Sequence, residues 1–294
     1  MAGVAVVTDS TASLSRGAAS ASGIRVVPLQ VVIEEVSRPE ATPDGGQDAI
    51  SPGEVAAALR GGQRVTTSRP TVEVFAATYA ALAAEGCLAA VSVHLSSAMS
   101  GTVEAAEMAA ASAPLPVTVV DSRTLAMATG FAALAAAEAA RSGAGMAETA
   151  EAARAQAAAT TTWFSVPSLE YLRRGGRIGT AAALLGSALA VKPLLTVRDG
   201  AVVVAERVRT ASRALARLEE LSLTALGAAA GAALEVDVAV HHLDDVDGAE
   251  RLAASLATRV PTARTVVVAE ISAVLGVHTG PGTLGVVVAP RVGR

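Results

Sequence analysis

Small hydroxyls crowd three short stretches of this chain: "TDSTASL" (8–14), "VTTSRPT" (65–71) and "HLSSAMSGT" (94–102). Each reads as a polar turn after a strand and before a helix, where free backbone N–H groups favour an anion. Ser, Thr and Asp are also the preferred helix N-caps, so capping alone explains any one of the three. Three together point to a shared site outside the carboxyl ends of strands, where ligands of parallel α/β sheets gather. Near residue 280, "VLGVHTGPGTLGV" (274–286) places His278 and Thr279 before a Gly-Pro-Gly turn. Gly280, Gly282 and Gly285 have the spacing of a dinucleotide loop, but Pro281 and the β run that follows remove its strand-then-helix context.

Other chemistries are weaker. Ser97, His278 and an acid such as Asp9 or Asp121 can be drawn as a hydrolase triad, yet the chain has no G-x-S-x-G nucleophile elbow. A nucleotide- or sugar-phosphate-binding enzyme on a Rossmann-like sheet is a second alternative, lowered by the missing glycine fingerprint after "VAVV". The histidines His94, His241, His242 and His278 are far apart except for one adjacent pair. Neighbours on a strand point to opposite faces, so His241 and His242 are expected to be structural and no metal is expected. A single cysteine, Cys87, excludes an internal disulfide.

Positioning these residues falls to an alternation of strands and helices. "VAVV" (4–7), "IRVVPLQVVI" (24–33), "LAAVSV" (88–93) and "VTVV" (117–120) read as buried strands. Between them "SPGEVAAALRGG" opens with a capping box of Ser51 and Glu54 and proline at the first helical position. Val72, Phe75, Tyr79 and Leu82 form one face of a further helix. The fold class is α/β with two domains. An N-terminal domain, 1–158, is expected to hold a mostly parallel sheet flanked by helices and to carry the hydroxyl-rich turns. A C-terminal domain, 159–294, is expected to hold a mixed sheet, with a hairpin at Asp199–Gly200 and the His-Thr-Gly-Pro-Gly turn. The segment 34–48, with proline, glycine and charge but no apolar period, is expected to be a long surface loop.

Composition narrows the rest. The residues are 52% hydrophobic, largely alanine, with one Trp, two Tyr and three Phe, so the core is one of Ala, Val and Leu. A formal charge of −4 gives no electrostatic case for nucleic acid. The apolar stretches 124–137 and 178–191 fall short of the roughly 20 residues needed to cross a bilayer, so no transmembrane segment is expected. "MAGVAVVTDS" has no basic leader and reaches Asp9 early, so a cytoplasmic location is expected.

Taken in order, "VTDSTASL", "GIRVVPLQVVI", "TTSRPT", "HLSSAMSGT", "VVDSR", "SLEYLRRGGRIG", "ERVRT" and "HTGPGTLG" resemble the DegV family of bacterial fatty-acid-binding proteins, the acyl-carrying subunits of fatty acid kinase. The resemblance spans nearly the whole chain. It implies one long-chain fatty acid in a buried tunnel, with its carboxylate held by Thr67, Ser68, Ser96, Ser97 and His278. A carboxylate removed from water needs several hydrogen bonds, and small hydroxyls and an imidazole supply them without bulk. The resemblance also implies that a separate ATP-dependent kinase phosphorylates the bound acid. This chain, which has no Walker-type or protein-kinase motif, would then be the lipid-binding subunit with no catalytic group or cofactor of its own. Arg173, Arg174, Arg177 and Arg209 are the candidates for contact with the kinase or the acyl phosphate. Transient contact with a membrane surface is allowed for.

Overall fold

The computed structural model describes residues 3–42, 45, 48–184, 192–259 and 263–292. The apolar stretch 178–191 therefore lies partly outside the described residues, as do positions 43, 44, 46 and 47 of the expected 34–48 loop. The chain begins with β1 (Val4–Asp9), a short 3-10 turn (Ser10–Ala12), α1 (Arg16–Ser22), β2 (Ile24–Val27), β3 (Gln30–Ile33) and β4 (Val36–Pro39). Next come α2 (Pro52–Arg60), β5 (Val65–Ser68), α3 (Val72–Ala84), β6 (Ala89–His94), α4 (Thr102–Ala110) and β7 (Val117–Asp121). The paired helices α5 (Met127–Arg141) and α6 (Met146–Ala159) lead to β8 (Thr161–Ser165) and α7 (Glu170–Arg174). A hairpin of β9 (Lys192–Arg198) and β10 (Ala201–Val208) precedes α8 (Ala211–Gly231), β11 (Val236–Leu243) and α9 (Val246–Arg259). The final elements are β12 (Ala263–Glu270), α10 (Ala273–Thr279) and β13 (Thr283–Pro290).

These strands form two main sheets. The first is parallel, in the order β2-β1-β6-β7. Alternate side chains serve its two faces. Val6, Val91 and Val93 pack on α5 and α6, while Val7 and Ala90 pack on α3 and α4 with Phe75, Tyr79 and Leu82. The second sheet is mixed, in the order β10-β9-β8-β13-β11-β12, with β13 antiparallel to both β8 and β11. Its outer face carries α8 and α9, and its inner face rests partly on α5 through Ala239, Val287 and Ala289. Helix α5 thus lies between two sheets. Its buried Ala128, Ala132, Ala133, Ala136 and Ala137 let both approach closely, which accounts for an apolar stretch that is not a membrane span. None of the described helices is long and apolar enough to cross a membrane.

Local signals account for the elements. Ser51 and Glu54 form the expected capping box, with Pro52 at the first helical position. Asp199 and Gly200 both have positive φ, 50° and 80°, as a two-residue hairpin turn requires. Three expectations need correction. The run 24–33 breaks at Pro28 into β2 and β3, which belong to different sheets, because proline cannot donate to a ladder. The expected 34–48 loop contains β4, which pairs antiparallel with β3 as an edge strand. The residues Val65–Ser68, expected in a turn, form β5 on the other side of β3. This three-stranded sheet, β4-β3-β5, packs on α10 through Val31, Ile50, Val274 and Val277.

Candidate functional site

A cavity of about 180 Å³ lies between the inner face of the six-stranded sheet, α10, β5 and the turn after β6. Leu29, Leu95, Met99, Leu125, Phe164 and Leu275 contribute much of its wall. Its polar residues include Thr67, Ser68, Arg69, Ser100, Arg177 and His278, besides Thr162, His241, Thr279 and Thr283. Side-chain and backbone hydrogen bonds hold several of them in place. Thr67 Oγ1 lies 2.9 Å from His278 Nε2, across 211 positions of sequence. Arg177 donates from Nε to the Met99 carbonyl at 3.0 Å, and Arg69 donates to the Gly101 carbonyl at 2.9 Å.

The backbone fixes each of these groups. Thr67 stands opposite Val31 in the β3–β5 ladder. His278 lies in the last turn of α10, whose N-terminus is capped by the Ser272 hydroxyl accepting from Leu275 N–H. Burial, with Arg177 as a lesser cause, pushes the His278 pKa down to about 4, so its imidazole is neutral near pH 7. Its Nδ1 is buried without a hydrogen-bond partner among the described residues. Gly175 makes room for this ring, since a Cβ there would collide with it. At φ −73° the position needs no glycine for its conformation, only for the space. Gly175→Ala is therefore expected to drive the imidazole outward. In a histidine NMR titration its pKa should rise from about 4 toward the ordinary value near 6.5. An unmoved titration would show that the ring does not depend on this packing.

Of the residues expected to hold an anion, Thr67, Ser68 and His278 line the cavity. Ser96 and Ser97 are turned elsewhere. The buried Ser96 hydroxyl donates to the Gly200 carbonyl at 2.7 Å, docking the β9–β10 hairpin onto the serine turn. Ser97 is exposed and donates to Asp121 at 2.5 Å. Ser100, from the same turn, occupies the cavity wall in their place. Among the arginines only Arg177 lines the cavity together with Arg69, which the sequence reading passed over although it sits inside "TTSRPT". Arg173 and Arg174 both pair with Glu170 on exposed surface. Arg209 is exposed and is not part of the wall.

The nominal triad of Ser97, His278 and an aspartate is not assembled, because Asp121 holds Ser97 and Asp9 holds another histidine. Asp9 Oδ2 lies 2.9 Å from His94 Nδ1, and His94 Nε2 lies 2.7 Å from Ser92 Oγ, which also accepts from Tyr79. The order is that of a serine–histidine–acid relay, but Asp9, His94, Ser92 and Tyr79 are all fully buried. Asp9 also accepts from Leu95 N–H, so the relay fixes the start of the serine turn. His241, which also lines the cavity, donates from Nδ1 to the Ala269 carbonyl and accepts at Nε2 from Met127 N–H, both at 3.2 Å. No cluster of three or more histidine, cysteine or acidic side chains able to hold a metal occurs among the described residues.

Residues 3–291 match the family model described as "Uncharacterised protein, DegV family". The chain is 51% identical over 288 residues to a DegV domain-containing protein of Streptomyces coelicolor, covering 98% of this chain and 99% of the relative. A DegV domain-containing protein of Mycobacterium tuberculosis is 39% identical over 285 residues, covering 97% and 96%. Among solved structures, a DegV family protein from Thermus thermophilus, described for its fatty acid binding, is 32% identical with a TM-score of 0.87, covering 98% of this chain and 99% of that one. DegV from Bacillus subtilis, described as a fatty acid binding protein, is 29% identical with a TM-score of 0.88, covering 99% and 100%.

Proposed function

The chain belongs to the DegV family, and from that premise we propose that it binds one long-chain fatty acid in the cavity and presents the carboxylate to a separate ATP-dependent kinase. The observation that carries this reading is the apolar cavity with the hydrogen-bonded Thr67–His278 pair in its wall. Thr67, Ser68, Ser100 and His278 offer hydrogen bonds to a carboxylate, and Arg177 lies close enough to depress the His278 pKa. The acyl chain supplies the affinity. Each buried methylene is worth about 0.8 kcal/mol before ordering costs, so a C16 chain has on the order of 10 kcal/mol of transfer free energy.

In this reading the protein is a carrier, and phosphoryl transfer belongs to the partner. Arg177 at the cavity meets the carboxylate or the acyl phosphate. The exposed Arg173, Arg174 and Arg209 belong to the surface offered to the kinase. Ser96 and Ser97 act indirectly, Ser96 by holding the hairpin and Ser97 by tying the turn to Asp121.

The test is mass spectrometry of lipid extracted from protein purified without added fatty acid. A stoichiometric C14–C18 acid is expected, and Thr67→Val/His278→Ala should lower its occupancy at least tenfold. Lipid retained in the variant would displace the carboxylate site while leaving the carrier role. A natural protein that is empty and also refuses added fatty acid would overturn the carrier role itself. For the kinase step, Arg177→Gln should lower acyl phosphate formation by the cognate kinase by a larger factor than it lowers lipid occupancy.

A further inference from the structure

Strand β13 places Gly285 on the face of the sheet that meets the cavity. In register it stands between Phe164 on β8 and His241 on β11, and all three residues line the cavity. Elsewhere this strand carries Leu284, Val286, Val287 and Val288. Glycine inside a strand weakens it and often marks a place where a ligand comes close to the backbone. No turn explains Gly285, whose φ is not positive.

The flanking side chains cannot swing into or out of this gap freely. Phe164 and His241 are buried, and both nitrogens of His241 are held by backbone groups, Ala269 and Met127. Leu125 and Ala126, which precede the Met127 N–H bonded to His241, also line the cavity. Ala126 has φ 53° and ψ −149°, a backbone that residues with a Cβ rarely adopt. Beyond the row, Thr162 stands opposite Val287 and lines the same cavity, so the space continues past Gly285. A Cβ at Gly285 would lie 3.2 Å from Phe164 Cβ and 3.3 Å from the Trp163 carbonyl, so even a methyl group would crowd the row.

Resting on the fatty-acid reading above, we propose that Gly285 sets the acyl chain lengths the cavity admits. Long chains pass over its bare backbone between Phe164 and His241, beneath Leu125 and Ala126, and short chains stop before that row. Gly285 is thus a residue that determines specificity, independent of the groups that hold the carboxylate.

The experiment is calorimetric titration of delipidated protein with straight-chain saturated acids from C8 to C18, for the natural chain, Gly285→Ala and Leu125→Phe. The second variant adds bulk from the opposite wall and carries the test if Gly285→Ala does not fold by circular dichroism. Both variants should bind C8 and C10 within threefold of the natural protein and bind C16 and C18 at least tenfold more weakly. Equal weakening at every length, or no weakening in a folded variant, would overturn the role of Gly285 and leave the fatty-acid reading standing. A natural protein that binds no acid of any length would overturn that reading and this inference with it.

Discussion

Glu40→Gln is expected to stabilise the protein by about 3 kcal/mol at pH 8 and to have little effect at pH 4. Glu40 is 4% exposed, at the end of β4, and its Oε1 accepts from Val274 N–H at the start of α10. Its Oε2 has no hydrogen-bond partner among the described residues. Burial raises its pKa from 4.5 to about 7, against smaller opposing effects from the Ser10 and Ser272 hydroxyls and the backbone of Val274 and Ala273. The folded protein therefore holds this proton more tightly than the unfolded chain. Stability falls as pH rises through the window from 4.5 to about 7, and the penalty is constant above it. Glutamine cannot ionise and removes the penalty. Urea unfolding of both proteins at pH 4, 6 and 8 checks this, and parallel pH profiles would show that Glu40 is not buried as a charge.

Acidification should act in the opposite sense through histidine. His241 is 2% exposed, and burial pushes its pKa down to about 4. The unfolded chain takes up this proton near pH 6.5, while the folded ring stays neutral until pH falls to about 4. Stability present above pH 6.5 is therefore lost through this window, by roughly 3 kcal/mol for a shift of this size. His278 acts in the same direction with a smaller share, because the residue is only half-buried and more screened than His241. His241→Gln keeps a group able to accept from Met127 N–H but does not titrate. Its stability should fall by about 3 kcal/mol less than that of the natural protein between pH 7 and pH 4. Equal losses in the two proteins would assign the acid sensitivity elsewhere.

How far the sequence discloses this molecule depends on whether a feature is local. The capping box at Ser51, the Asp199–Gly200 hairpin and the apolar face of α3 need only neighbours within a few residues, and each is legible. Strand β4 is not, because an edge strand of four residues that includes Pro39 has neither an apolar period nor a full set of donors. The parallel β2-β1-β6-β7 sheet and the mixed second sheet are expected in class from the alternation of strands and helices. The halves of the cavity do not, since nothing local brings Thr67 to His278.

The site shows the same division. Residue types along "HLSSAMSGT" announce hydroxyl chemistry, but which hydroxyl faces the cavity depends on contacts from far away. Gly200, more than a hundred positions on, claims Ser96, Asp121 claims Ser97, and Ser100 is left at the wall. Gly175 owes its lack of a side chain to the His278 ring, more than a hundred positions further along the chain. Glu40 in a charged segment had every appearance of a solvated side chain. Its burial is a product of the β3–β4 pairing that the sequence hides.

The place of β13 in the middle of its sheet has a consequence for biosynthesis. As the ribosome releases the chain, β8, β9 and β10 emerge as one set and β11 and β12 as another, each with an open edge where β13 will later insert. Such non-local pairing is slow, and open edges invite association with other chains while they wait. His278 and Gly285 emerge at this same late stage, so the nascent protein can complete neither its sheet nor its cavity beforehand. The cavity wall that His278 and Gly285 supply is therefore complete only once β13 has inserted between β8 and β11.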